Sequence, residues 1–96
     1  MIITLQEIFE LRKMGEIETA YIAACDKYAS HRGHYTTLCM FWCALDFARY
    51  LMNAGRVAEC PRVIGRMVDA YQYVGDYTGE ASKAANQLLT KYYNTL

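Results

Sequence analysis

The chain is expected to be an all-α domain of five helices, and three features of its sequence predict this. Residues 36–54 (TTLCMFWCALDFARYLMNA) carry charge only at Asp46 and Arg49, and Phe41, Trp42, Phe47 and Tyr50 fall on different sides of any helix drawn through them. A helix that is apolar nearly all round must be covered on several sides. This stretch is therefore expected to be the central helix, with Trp42 and Phe47 as core side chains. On both sides of it apolar residues recur at helical spacing, and glycine or proline marks the junctions. No segment alternates with the two-residue period of a strand.

At 96 residues the chain makes one domain, residues 1–96, expected to bury about 60–65% of the surface its unfolded form exposes. An apolar content of 54% with nine tyrosines fills such a core without a disulfide or metal staple. Ten basic residues balance ten acidic ones. A protein that neutralises many phosphates shows a basic excess, so nucleic acid is not expected as a partner. Low net charge on an apolar chain favours self-association. The N-terminus lacks the basic and apolar regions of a secretory signal. Residues 36–54 approach membrane-spanning length, but Asp46, Arg49 and Asn53 would be costly in lipid, so no membrane span is expected. The four cysteines lie in helical segments, which points to reduced thiols and a cytoplasmic protein.

In chain order, Thr4 and Glu7 form a capping box, with Ile3 and Ile8 spaced as its hydrophobic staple. The first helix is expected over residues 5–14. Leu5, Ile8 and Leu11 lie inward, Arg12 and Lys13 sit against the C-terminal dipole, and Gly15 is the left-handed stop. A second helix runs from residue 16 or 17 to 30 with Ile17, Ala20, Tyr21, Ala24 and Tyr28 inward. Residues 31–35 form a loop, and Thr36 or Thr37 caps the central helix, which ends at Gly55. Pro61 fixes the first turn of the fourth helix, whose buried stripe is Cys60, Ile64, Met67, Val68 and Tyr71. Gly75 stops it. Asp76 or Thr78 opens a fifth helix, 78–95, with Ala81, Ala84, Ala85, Leu88 and Tyr92 inward.

A short pattern recurs at the junctions: Gly15-Glu16-Ile17, Gly55-Arg56-Val57 and Gly75-Asp76-Tyr77. The first two add a small residue three places on, Ala20 and Cys60. Tight helix pairs recurring at a period near forty residues mark a helical repeat array. On these residues the chain resembles the tetratricopeptide repeat (TPR) family. The segment Lys13-Met14-Gly15-Glu16-Ile17-Glu18-Thr19-Ala20 is similar to the family's turn, and Ala48, Leu51, Gly55, Val57, Cys60 and Ile64 continue the likeness, which spans residues 5–67. The chain departs from the family at Thr4 and Ala44, where it has tryptophan, at Ile8, where it has a small residue, and at Arg32 and Gln72, where it has proline. The alternative is an ordinary five-helix bundle.

The resemblance implies two antiparallel helical hairpins, 4–31 and 36–74, followed by a capping helix. It also implies a concave protein-binding face formed by the first helix of each pair. Carried over by position, that face holds Leu5, Phe9, Arg12 and Lys13, then Leu45, Arg49, Met52 and Asn53.

Read from the residues themselves, Cys39 and Cys43 share a helix face near His34, but a structural zinc site needs four ligands, so small buried hydrophobes are expected and no metal or cofactor. His31 and His34 read as solvated loop histidines. Asp46 and Arg49 suit an i, i+3 ion pair. Arg49, Arg56, Arg62 and Arg66 face only Glu59 nearby and make a local basic patch. In the tyrosine-rich last third, Tyr73 and Tyr93 fall off the inner faces, as residues of a binding surface do.

The expected function is a non-catalytic protein-binding module or adaptor, with a protein partner or a homodimer. A small phage- or mobile-element-type inhibitor that blocks a host enzyme is the alternative. An enzyme using Cys43 or a histidine comes third, because no base–nucleophile spacing is visible.

Overall fold

The computed structural model describes residues 4–73 and 79–96. These residues form five α-helices and no strand: α1 (Leu5–Lys13), α2 (Ile17–Ser30), α3 (His34–Asn53), α4 (Cys60–Tyr71) and α5 (Glu80–Thr95), with one 3₁₀ turn, Val57–Glu59, leading into α4. The expected all-α class is observed. Ile3 of the staple, the Gly75 stop, the third glycine pattern with Tyr77, and the Asp76 or Thr78 start lie outside the described residues.

The capping box forms as read: the Glu7 N–H donates to Thr4 Oγ1 at 3.1 Å, and the Thr4 N–H donates to Glu7 Oε1 at 3.3 Å. Helices α1 and α3 end in turns with the same bonding. Gly15 (φ 86°) and Gly55 (φ 78°) occupy the left-handed region. The next residue, Glu16 or Arg56, donates back across the turn to the carbonyl of Leu11 or Leu51, at 3.0 and 2.8 Å. This is the Schellman arrangement, and glycine adopts its left-handed position without the Cβ penalty.

Helix α3 begins earlier than its sequence suggests. Gly33, in extended conformation, precedes the first helical residue, His34. Thr36 and Thr37 are buried inside the helix rather than at its cap. The Thr37 hydroxyl donates backwards to the Gly33 carbonyl at 2.7 Å, a use that competes with N-capping.

Each of the other four helices packs on α3, most extensively α4 and then α2. Its side chains Cys39, Met40, Phe41, Cys43, Ala44, Leu45, Phe47, Ala48, Leu51 and Met52 are all buried. Phe41 is the large aromatic at the centre, with rings of Trp42 and Tyr71 at 5.0 and 5.8 Å. Trp42 is only partly buried, which corrects its expected place as a core side chain; Phe47 is buried and packs on Tyr21 at 4.8 Å. In α4 the buried residues are Cys60, Val63, Ile64, Met67 and Ala70. Val68 is exposed, against expectation: the buried arc is centred on Cys60, Val63 and Met67 and extends to Ile64 on one side and Ala70 on the other, and position 68 falls a further 40° beyond Ile64. At the far ends of α2 and α4, the Tyr28 hydroxyl donates to Asp69 Oδ2 at 3.1 Å.

Candidate functional site

Helix α3 is buried on much of its circumference, and most of what it leaves open forms one line, with exposed His34 and Tyr50 to either side of it. Tyr35, Leu38, Trp42, Asp46, Arg49 and Asn53 are exposed or half-buried. Their spacings of three, four, four, three and four residues confine them to an arc of about 80° at 3.6 residues per turn. The line is apolar at the N-terminal end of α3 and polar at the C-terminal end.

Two helices flank it. From α1, Arg12 forms an ion pair with Asp46 and carries its guanidinium 5.5 Å from the centroid of the Trp42 ring. The two paired side chains are 31% and 16% exposed. From α5, Lys91 Nζ donates to Asn53 Oδ1 at 2.6 Å. Helices α1 and α5 both pack on α3, and they do not pack extensively on each other. The open line of α3 is thus reached by Arg12 from α1 and by Lys91 from α5, and is termed the groove.

The residues singled out from sequence fall into three groups. Arg12, Arg49 and Asn53 belong to the groove; Phe9 is partly buried against the core and Lys13 is exposed beside Arg12. Leu45 and Met52, at 1% and 8% exposure, are core residues and contribute no surface. They stand 40–60° away from Arg49, about one side-chain width round the helix, and that rotation is the difference between core and groove. Tyr73 and Tyr93 are 65% and 67% exposed, but the structure does not bring them together. Tyr73 shares a cleft of about 520 Å³ with Tyr28, Arg32, His34 and Thr37 at the start of α3. Tyr93 follows Lys91, which reaches the other end of that helix, roughly 30 Å away along twenty residues.

Sequence reasoning misses Leu38, Trp42 and Lys91 as surface, while it sets Asp46 with Arg49 on the polar edge of the helix and Tyr35 in a loop. For the two on α3 the helical spacing is an available signal. For Lys91 none is, since only the fold places it beside Asn53. The expected Asp46–Arg49 pair is absent: Asp46 pairs with Arg12 instead, because the tertiary contact presents a guanidinium across the helix interface. Arg49 makes no ion pair among the described residues. The basic patch is partly neutralised as well. Arg56 holds Glu59 in a two-pronged contact at 2.5 and 2.7 Å and lies 3.9 Å from Glu18. That hydrogen-bonded contact keeps the Glu59 carboxyl below its ordinary range.

All four cysteines are free thiols. Cys39 and Cys43 are buried with their Sγ atoms 4.0 Å apart. The contact with Cys39, reinforced by burial, pushes the Cys43 thiol far above its ordinary value. Among the described residues no group of three or more His, Cys, Asp or Glu side chains is placed to hold a metal ion. Nor is any of their helices long and apolar enough to cross a membrane. Comparison of the chain with protein-family models, with curated proteins and with solved structures finds no match.

Proposed function

We propose that the chain is a non-catalytic protein-binding module of TPR-like build, two helical hairpins and a capping helix, whose contact surface is the groove over α3. The observation that carries this reading is the open line of six residues, Tyr35 to Asn53, on a helix that is buried over much of its surface. A groove of that kind, flanked by two helices, suits insertion of a partner segment. The matching Schellman turns after α1 and α3 support the repeat reading, as they give both junctions the same geometry. Reduced thiols and balanced charge suit a cytoplasmic protein that binds protein rather than nucleic acid.

A photo-crosslinking amino acid at position 49, compared with one at exposed Asp26 on α2, tests the assignment in a lysate of the source cells. The expected result is a discrete protein adduct from position 49 and none from position 26. Adducts from neither position, or equally from both, would refute a specific groove. Should the adduct be an enzyme, adding purified chain to that enzyme separates an inhibitor from an adaptor. Light scattering of the purified chain shows whether the partner is a second copy.

A further inference from the structure

We infer that the groove takes an acidic amphipathic segment of another protein, with an apolar anchor toward Trp42 and carboxylates toward Arg49 and Lys91. This inference rests on the protein-binding reading above and specifies the partner's chemistry.

The argument is charge complementarity in a chain whose net charge is zero. Asp46 is the one carboxylate on the open line of α3, and Arg12 already neutralises it. Arg49 has no ion pair among the described residues, and Lys91 is bonded to a neutral amide. Lys13 is exposed next to Arg12 but lies only 60° round α1 from exposed Glu10, so the two together add no net charge there. On α1, Glu10 lies about 160° round the helix from Arg12, on the outer side. On α5, Glu80 shares the face of Lys91 but stands eleven residues away, about 16 Å along the axis. The C-terminal half of the groove is therefore cationic and the N-terminal half, with Tyr35, Leu38 and Trp42, is aromatic and aliphatic.

The spacing specifies the ligand further. Trp42 and Arg49 are seven residues apart, roughly 10 Å along α3. A partner helix would place its acids about two turns from its apolar anchor, and an extended segment about three residues from it. A partner with lysine in place of those acids would bring like charges together, which costs specificity and encounter rate.

The chain has one tryptophan, and it lies in the groove, so its emission reports occupancy directly. Random peptides displayed on phage are selected on the intact chain, and the enriched sequences are synthesised and titrated against Trp42 fluorescence. Enriched peptides should pair an apolar anchor with an excess of Asp and Glu. They should shift Trp42 emission, weaken with added salt, and lose roughly tenfold or more in affinity to the Arg49→Glu chain, as expected when an attraction becomes a repulsion. Circular dichroism confirms that this exposed substitution leaves the helices intact. Neutral or basic peptides that nonetheless shift Trp42 would overturn the acidic partner and leave the groove standing. Oligouridylate shifting Trp42 at lower concentration than any peptide would overturn the choice of a protein partner. No enrichment, or peptides that bind without moving Trp42 and ignore Arg49→Glu, would overturn the groove itself.

Discussion

Two adjacent residues of α3, Phe41 and Trp42, divide the molecule into what holds it together and what it presents. Phe41 is fully enclosed, between Trp42 and Tyr71. Trp42, the larger residue, is only partly buried and carries a guanidinium from α1 over its ring. One step of 100° round the helix separates core from groove. Size and hydrophobicity alone therefore do not decide which side chains stabilise this fold; angular position relative to the four covering helices does.

The largest expected effect tests that division directly. Phe41→Ala should cost about 3–5 kcal/mol, as large-to-small changes in filled cores do, which is a large share of the roughly 5–15 kcal/mol available to a domain. Trp42→Ala should cost clearly less, since part of its surface already faces water. Denaturant midpoints of the two variants measure the difference. Equal losses would erase the distinction between the two faces.

Next comes the border between the faces, the Arg12–Asp46 pair. Arg12→Ala strands a carboxylate that is 16% exposed and should cost about 1–3 kcal/mol, the range for leaving a buried acceptor unsatisfied. Asp46→Ala should cost less, because Arg12 is 31% exposed and its long side chain can turn its charge to water. The reverse ranking would mean that Arg12 acts through stacking on Trp42 rather than through the carboxylate.

How far the sequence discloses this arrangement follows from the range of the interactions involved. Capping at Thr4 and Glu7, the left-handed stops Gly15 and Gly55 and the extent of α2 depend on neighbours a few residues apart, and they are legible. The start of α3 is not, because a threonine hydroxyl bonds equally well forward as a cap or backward to a carbonyl. Helical periodicity locates a buried arc only to within one side chain, so Trp42 on a nearly all-apolar helix reads as core; Leu45 and Met52 are expected on the surface only through their positions in the resembled repeat. Asp46 finds its partner 34 residues away rather than three. Nothing local ranks those two arginines, since the choice belongs to the packing of α1 on α3.

A smaller effect comes from the other side of α3, where Tyr21 packs on Phe47. Burial, with a hydrogen bond to Cys25, raises the Tyr21 hydroxyl to about 12 from an ordinary 10.0. The unfolded chain thus releases this proton first. The resulting stability is fully present below pH 10 and is lost as pH rises through 12. The thermal midpoint should fall across that window, and Tyr21→Phe should make the fall shallower. Tyr28, also raised by burial and by its bond to Asp69, adds a slope of the same sign. An unchanged slope in Tyr21→Phe would show that this hydroxyl ionises as readily in the folded chain as in the unfolded one.

The smallest expected effect is the most informative about function. Arg49 is exposed and makes no ion pair among the described residues, so Arg49→Ala removes little packing and strands no charge. Surface substitutions of this kind fall within about ±0.5 kcal/mol, and a charge removed from a cationic stretch relieves repulsion rather than adding it. The thermal midpoint of Arg49→Ala should match that of the parent chain within that margin, alone and in combination with Asn53→Ala. Binding should behave in the opposite way, since anchors at an interface commonly lose about 2 kcal/mol or more on truncation. A variant that keeps its stability and loses its partner places Arg49 on the presented face. One that loses both would make the open line of α3 structural, and the groove would then be a by-product of packing rather than a site.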